Sequence, residues 1–402
     1  MMHRMLPGLA LLIALFGATL SGCSPPAAPL PNDAYIWQRQ WTPALVSAVQ
    51  SNADIVNQWR VLAAQADAHG QWLSTAPDWS TLATSARPVI AVLRIDGQMA
   101  DMDEPTLFAK ISTTLEVWRQ SGVALAGIEI DHDCATARLP AYALWLKRVR
   151  GLLKNHERLS ITALPTWLQS GAVEAVMEQV DEAVLQVHAV QDPRVGLFDP
   201  LLAQTWLEQF SRRMHKPWQV ALPAYGSRVA WGRDGQVVSI ESERATLVNG
   251  MESHELMADP QALQDFARRL SRNPPAGLAG IVWFRLPTAQ DARAWSPETW
   301  RAVLTQAPLS VQISAQLRNT ADPQLFDLVL SNTGVGDGSP PSAIRIIGNC
   351  AAADGINGYF MQRDSAGLSF QIRQPGLLKS GRQRTIGWLR CEQGKESLHV
   401  ES

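Results

Sequence analysis

Three acidic residues recur at every second position in Gly127-Ile128-Glu129-Ile130-Asp131-His132-Asp133-Cys134. Side chains alternate along a strand, so Glu129, Asp131 and Asp133 share one face and Ile128 and Ile130 the other. Neighbouring acids then have Cα atoms about 6.6 Å apart, from a rise near 3.3 Å per residue. Carboxylates that close in a poorly solvated site cannot all ionise cheaply. At least one is expected to keep its proton near neutrality. A protonated acid beside an ionised one is the equipment of glycoside hydrolysis. The alternative is structural: Glu129 and Asp131 pair with Arg94 and Arg285 and fill the interior with ion pairs. His132 has the opposite parity and is expected behind the acids. The chain has no CxxC, HxxxH, HExxH or GxSxG. No metal, no cofactor and no serine nucleophile are therefore expected.

Such a strand needs a scaffold, and the surrounding pattern supplies one. Eight short apolar runs read as buried strands: Ala34–Trp41, Trp59–Ala66, Val89–Ile95, Gly127–Asp133, Leu159–Pro165, Ala183–Ala189, Gln219–Ala224 and Ala279–Leu286. Helical spacing follows most of them, most clearly in Pro105–Gln120, Leu139–His156, Thr166–Gln179 and Pro200–His215. Eight strands alternating with helices predict an α/β fold, a (β/α)8 TIM barrel. An open doubly wound sheet is the rival, but no GxGxxG follows the first strand. The link after the seventh strand is long, and Arg228–Ser242 reads as a hairpin turning at Asp234-Gly235.

A barrel gathers functional groups at the C-terminal ends of its strands. That rule selects Arg94 and Asp96 on the third strand and the acids on the fourth. It adds Trp167 after the fifth, Gln186 and His188 on the sixth, Tyr225 after the seventh, and Trp283 and Arg285 on the eighth. Tryptophan is the commonest aromatic, 15 against 9 Phe and 4 Tyr. Trp37, Trp167 and Trp283 fall on or just after strands, where a flat face could stack on a sugar ring. Tryptophans on helices, such as Trp118, Trp145 and Trp206, are expected to pack the core.

The ends of the chain read differently. A basic start, an apolar run from Leu9 to Leu20 and Leu20-Ser21-Gly22-Cys23 resemble a bacterial lipobox. Residues 1–22 are then a signal peptide, Cys23 is acylated, and 23–33 is a tether. Ser24 after the Cys favours the outer membrane. The barrel spans 34–306. Six short runs separated by turns over 309–402 suggest a small antiparallel β-sandwich. They are Leu309–Arg318, Leu325–Asn332, Ala343–Gly348, Gly358–Arg363, Leu368–Arg373 and Thr385–Cys391. Cys350 and Cys391 are expected to form a disulfide and leave Cys134 free. The Gly334–Gly338 cluster lacks a phosphate-loop Lys-Ser/Thr and reads as a turn. Net charge is −2, with no basic excess to neutralise phosphates, so nucleic acid is not an expected partner.

Three stretches resemble glycoside hydrolase family 18, the chitinase-like barrels. Gly127-Ile-Glu-Ile-Asp-His-Asp resembles that family's fourth-strand Gly-x-Asp-x-Asp-x-Glu. Leu222-Pro-Ala-Tyr-Gly-Ser resembles its LPxYGR region. Gly280-Ile-Val-Trp-Phe resembles its eighth strand. The resemblance implies Asp133 as general acid, Asp131 as assisting acid, and Tyr225 and Trp283 as sugar contacts. Two departures stand out. Asp133 replaces the family's Glu, and Gln186-Val187-His188-Ala189 replaces its Met-x-Tyr-Asp. Over nearly the whole chain, AYIWQRxW, RIDG, GIEIDHDCATARLPxYAxWL, LPxYG and GWLRC, with the lipobox, resemble the bacterial family called domain of unknown function 3142. That resemblance implies a barrel related to glycoside hydrolases.

The expected function is that of a membrane-anchored, periplasm-facing glycoside-hydrolase-like protein of the bacterial cell envelope. Its substrate would be an oligosaccharide or polysaccharide, including amino-sugar polymers. The alternatives are a non-catalytic carbohydrate-binding lipoprotein and an envelope scaffold whose C-terminal domain binds another protein.

Overall fold

The structure, a computed structural model, describes residues 28–67, 69–96, 104–188, 196–231, 237–241, 252–365, 367–373, 376–392 and 399–401. The expected lipidation at Cys23 and the hairpin turn at Asp234-Gly235 lie outside them.

Eight parallel strands form a ring: Asn32–Ile36, Gln58–Ala66, Val89–Ile95, Leu125–His132, Arg158–Ala163, Glu182–Gln186, Trp218–Pro223 and Leu278–Phe284. Each pairs with the next, and the first pairs with both the second and the eighth. The barrel read from the sequence is therefore present, strand for strand. Its helices are Pro43–Asn52, Trp79–Thr84, Glu104–Gln120, Leu139–Arg150, Val173–Glu178, Pro200–Ser211, Pro260–Arg272 and Pro297–Leu304. Four of them start alike. Thr42, Asp199, Asp259 and Ser296 each accept an amide hydrogen from the first helical turn, and proline follows each cap.

The strands are apolar on their outer face because helices cover it. Trp59, Trp118, Trp145, Trp206, Trp218, Trp283 and Trp300 all join this one strand–helix core. Most of the tryptophan excess is thus packing.

Some elements depart from expectation for local reasons. The helix expected over Thr166–Gln179 breaks where Ser170 is extended. A 3-10 turn, Pro165–Gln169, precedes the break and the short helix Val173–Glu178 follows it. The helix starting at Leu139 ends at Arg150, with Gly151 as its cap. After the seventh strand, Gly226–Trp231 pairs antiparallel with Val237–Glu241, as the expected hairpin requires, and Glu252–Met257 adds an unexpected third strand on the other side.

The C-terminal part has two four-stranded antiparallel sheets. One contains Ile313–Asn319, Leu325–Asn332, Gln383–Cys391 and Cys350–Gly355; the other contains Tyr359–Asp364, Gly367–Ile372, Ala343–Ile347 and His399–Glu401. Leu328, Leu330, Ile344, Ile346, Phe370 and Leu389 from both sheets share one core. Two of these strands were not expected. Cys350–Gly355 reads CAAADG, a composition with little β-propensity. His399–Glu401 has only three residues. Cys350 and Cys391 are disulfide-bonded and Cys134 is a free, buried thiol.

Candidate functional site

The barrel interior is built in layers, starting from its N-terminal end. Arg60, on the second strand, has no exposed surface. Its guanidinium donates to Glu129 and Gln219, to Glu182 at 2.6 Å, to Ser160 at 3.1 Å and to Asp33 at 3.3 Å. Glu129 also accepts from Tyr35 Oη at 2.6 Å and Ser160 Oγ at 2.8 Å. Burial pushes Glu129 and Asp33 above the usual carboxylate range, with Arg60 opposing. Burial would also raise Glu182, but Arg60 and Arg158 outweigh it and hold Glu182 low.

This layer corrects one expectation. Glu129 faces the lumen as its parity requires, but it sits too deep to act on a ligand and its oxygens are already engaged. It is part of a structural ion-pair floor. The expected ion-pair alternative holds for Asp131, which pairs with Arg94, while the cation at Glu129 is Arg60. The signal was a lone arginine in the apolar run Trp59-Arg60-Val61-Leu62.

Val92, Val184, Ala221 and Val282 pack with Tyr35 above the floor. The next acids on the fourth strand belong to the open end. Asp131 is almost fully buried. It accepts from Thr162 Oγ1 at 2.7 Å, Arg94 Nη1 at 2.7 Å and Gln186 Nε2 at 3.3 Å. Strand register explains the Arg94 contact, since Arg94 lies directly beside Asp131. The other arm of the same guanidinium, Nη2, donates to Asp133 Oδ2 at 2.6 Å. Asp133 is the most open of the three acids, its side chain 37% exposed. Burial raises its pKa, the Arg94 charge opposes this, and neighbouring Asp131 adds to the rise.

Aromatic rings line the same lumen, packed on Tyr35, Val92, Val184, Ala221 and Val282. Trp37 and Phe284 are half-buried and meet edge to face at 5.1 Å between ring centroids. His188 stacks on Phe284 at 5.4 Å, and its Nδ1 lies 3.5 Å from Tyr225 Oη. Burial lowers His188 to about 4 and raises Tyr225 to about 12, so both are neutral over the ordinary pH range. Arg285 is nearly buried and pairs with Asp291 at 2.7 Å.

Of the residues selected from sequence, the fold brings together Asp131, Asp133, Arg94, His188 and Tyr225. Asp96 lies one residue past the third strand, half-buried. Two tryptophans need correction. Trp283 follows Val282 and precedes Phe284, both on the lumen side, so Trp283 itself points outward. It is fully buried and donates Nε1 to Asn32 Oδ1 at 2.8 Å. Trp167 is likewise fully buried, with Nε1 bound to the Cys134 carbonyl at 2.8 Å. Neither is available to stack on a ligand. Thr162 and Phe284 were not selected; the same alternation that marked the acids could have found both.

The arrangement resembles known barrels at the level of fold. The spore cortex-lytic enzyme SleL of Bacillus cereus aligns over 70% of this chain and 75% of its own, with TM-score 0.51 and 15% identity. SleL of Bacillus megaterium QM B1551 aligns over 70% and 74%, with TM-score 0.50 and 15% identity. A chitinase from Chromobacterium violaceum aligns over 69% and 98%, with TM-score 0.49 and 14% identity. Among curated proteins none matches the chain. The C-terminal sheets, residues 315–392, match a second family model, Domain of unknown function (DUF8456). Residues 85–289, from just before the third strand to just past the eighth, match the model described as Domain of unknown function (DUF3142), and the chain belongs to that family.

Proposed function

We propose that this chain is a glycoside-hydrolase-like protein that binds and cleaves an oligosaccharide or polysaccharide at the open end of its barrel. The observation that carries this reading is the Asp131–Arg94–Asp133 cluster, at the open end of a lumen that Trp37 and Phe284 also line. Asp133 is the exposed member, with a raised pKa, and suits the general acid. Asp131, fixed by Thr162, Gln186 and Arg94, suits the assisting carboxylate. Aromatic faces suit the apolar faces of a pyranose. The fold shared with cortex-lytic enzymes supports amino-sugar polymers as the first substrates to try. The lipobox reading supports a periplasm-facing lipoprotein anchored through Cys23, with the outer membrane as its site.

The test is incubation with peptidoglycan fragments, β-linked amino-sugar polymers and neutral glucans. Turnover on one class, lost in Asp133→Asn, is expected. No turnover on any class contradicts cleavage, as does full activity in Asp133→Asn.

One observation favours a second reading. Arg94 holds Asp133 as a paired carboxylate, which favours sugar binding without proton donation. Glycan binding that persists in Asp133→Asn, with no turnover in either protein, would select this reading.

A further inference from the structure

The loop after the eighth strand, residues 285–296, is held from two sides. On the barrel side, Arg285 pairs with Asp291. Tyr225 forms a bridge with Ala294, Trp295 N–H donates to the Ala224 carbonyl at 3.2 Å, and Gly226 N–H donates to the Arg293 carbonyl. On the other side stands the sandwich. Asp337 is only 4% exposed. Its carboxylate accepts Ser296 N–H at 2.7 Å, Ser296 Oγ–H at 2.6 Å and Ser380 N–H at 2.8 Å. Its own N–H donates to Thr299 Oγ1 at 2.8 Å. Lys379 Nζ donates to the Asp291 carbonyl, and Arg382 reaches the Ala289 carbonyl at 3.5 Å. Leu309 and Leu377 pack against the barrel core.

The glycine cluster read as a turn is what delivers Asp337. A Cβ on Gly334 would lie 2.1 Å from the Ser310 carbonyl oxygen, and one on Gly338 would lie 2.1 Å from Val311 Cγ1. Only glycine permits so close an approach. A buried carboxylate whose bonds cross to the neighbouring domain is a strong, directional tie, because charged acceptors make the stronger hydrogen bonds.

We propose that the C-terminal sandwich is a positioning domain for the mouth of the barrel. Asp337 and Lys379 are its positioning residues. They fix the 285–296 loop and, through it, Arg285 and Tyr225. The inference rests on these contacts and is independent of which ligand the barrel takes.

The chain's 4 tyrosines make the test direct. Tyr35 reports the barrel interior and Tyr142 the core behind the fourth strand. Tyr225 reports the mouth. Tyr359, whose Oη donates to the Pro341 carbonyl at 2.8 Å, reports the sandwich. The full chain is labelled with 3-fluorotyrosine, and its fluorine NMR spectrum is compared with that of Asp337→Ala. The expected result is a shifted or broadened Tyr225 resonance with Tyr35, Tyr142 and Tyr359 in place. Amides of 288–296 should exchange about tenfold faster, as local opening becomes easier. Asp337→Asn, which keeps one acceptor oxygen, should restore Tyr225 at least in part. An unmoved Tyr225 with an intact Tyr359 signal overturns the proposal. If Asp337→Ala also displaces Tyr359, Lys379→Met decides. Tyr225 moving alone in that variant supports the proposal, and four unmoved resonances overturn it.

Discussion

Arg94 Nη2 lies 2.6 Å from Asp133 Oδ2, while Nη1 of the same guanidinium holds Asp131 at 2.7 Å. One cation thus sits between two acids on the rim of the barrel. It offsets their mutual repulsion and opposes the rise that burial imposes on Asp133.

Arg94→Met removes the charge that lowers Asp133. The Asp133 pKa then rises further. If Asp133 donates a proton, activity is lost as pH rises through that pKa, so the alkaline limb of the pH–activity profile moves to higher pH in the variant. A rate profile across pH checks this. An unshifted alkaline limb would assign the proton donor elsewhere.

Aromatics on opposite sides of the barrel wall predict opposite outcomes. Phe284 and Trp37 line the lumen, and Trp283 lies in the strand–helix core. Trp37→Ala should weaken glycan binding about tenfold, close to the contribution of one aromatic contact. Trp283→Phe should leave affinity unchanged and cost about 1–3 kcal/mol of stability, because Asn32 Oδ1 loses its buried donor. Titration calorimetry and denaturant melts separate the two effects.

The barrel floor depends on Arg60. Arg60→Met leaves Glu129 and Asp33 buried without their cation, and Glu182 with Arg158 alone. Removing one partner of a buried pair costs about 3–5 kcal/mol. The barrel transition in urea should move to lower concentration by a corresponding amount. A variant as stable as the parent would show that the floor tolerates the loss of its central cation.

The Cys350–Cys391 bond closes a separation of 41 residues within the sandwich. Replacing both cysteines with serine should destabilise the sandwich by about 2–4 kcal/mol, mainly by freeing the unfolded chain. The loss should appear at Tyr359 and leave the barrel floor at Tyr35 unchanged.

The barrel was legible because its strands are apolar runs of the right number and helical spacing follows most of them. The acids were legible because alternation places every second residue on one face. What remained hidden depended on depth along a strand. Glu129 and Asp133 have the same parity, but one lies in the floor and the other at the rim. Sequence spacing alone does not say how far each strand reaches. Trp283 was misplaced because a motif match took precedence over parity, which assigns the lumen to Phe284. The tie between Asp337 and Ser296 joins residues from different domains, and no local pattern marks it.

The central claim is that sugar binds at the Asp133 end of the barrel. A structure of the full chain with a bound oligosaccharide, drawn from the glycan class that it binds or cleaves, tests it most directly. The account predicts a pyranose ring against Trp37 and Phe284, with a glycosidic oxygen within hydrogen-bond distance of Asp133. A glycan seated on the sandwich or on the outer face of the barrel, with the Arg94–Asp133 pair untouched, would contradict it.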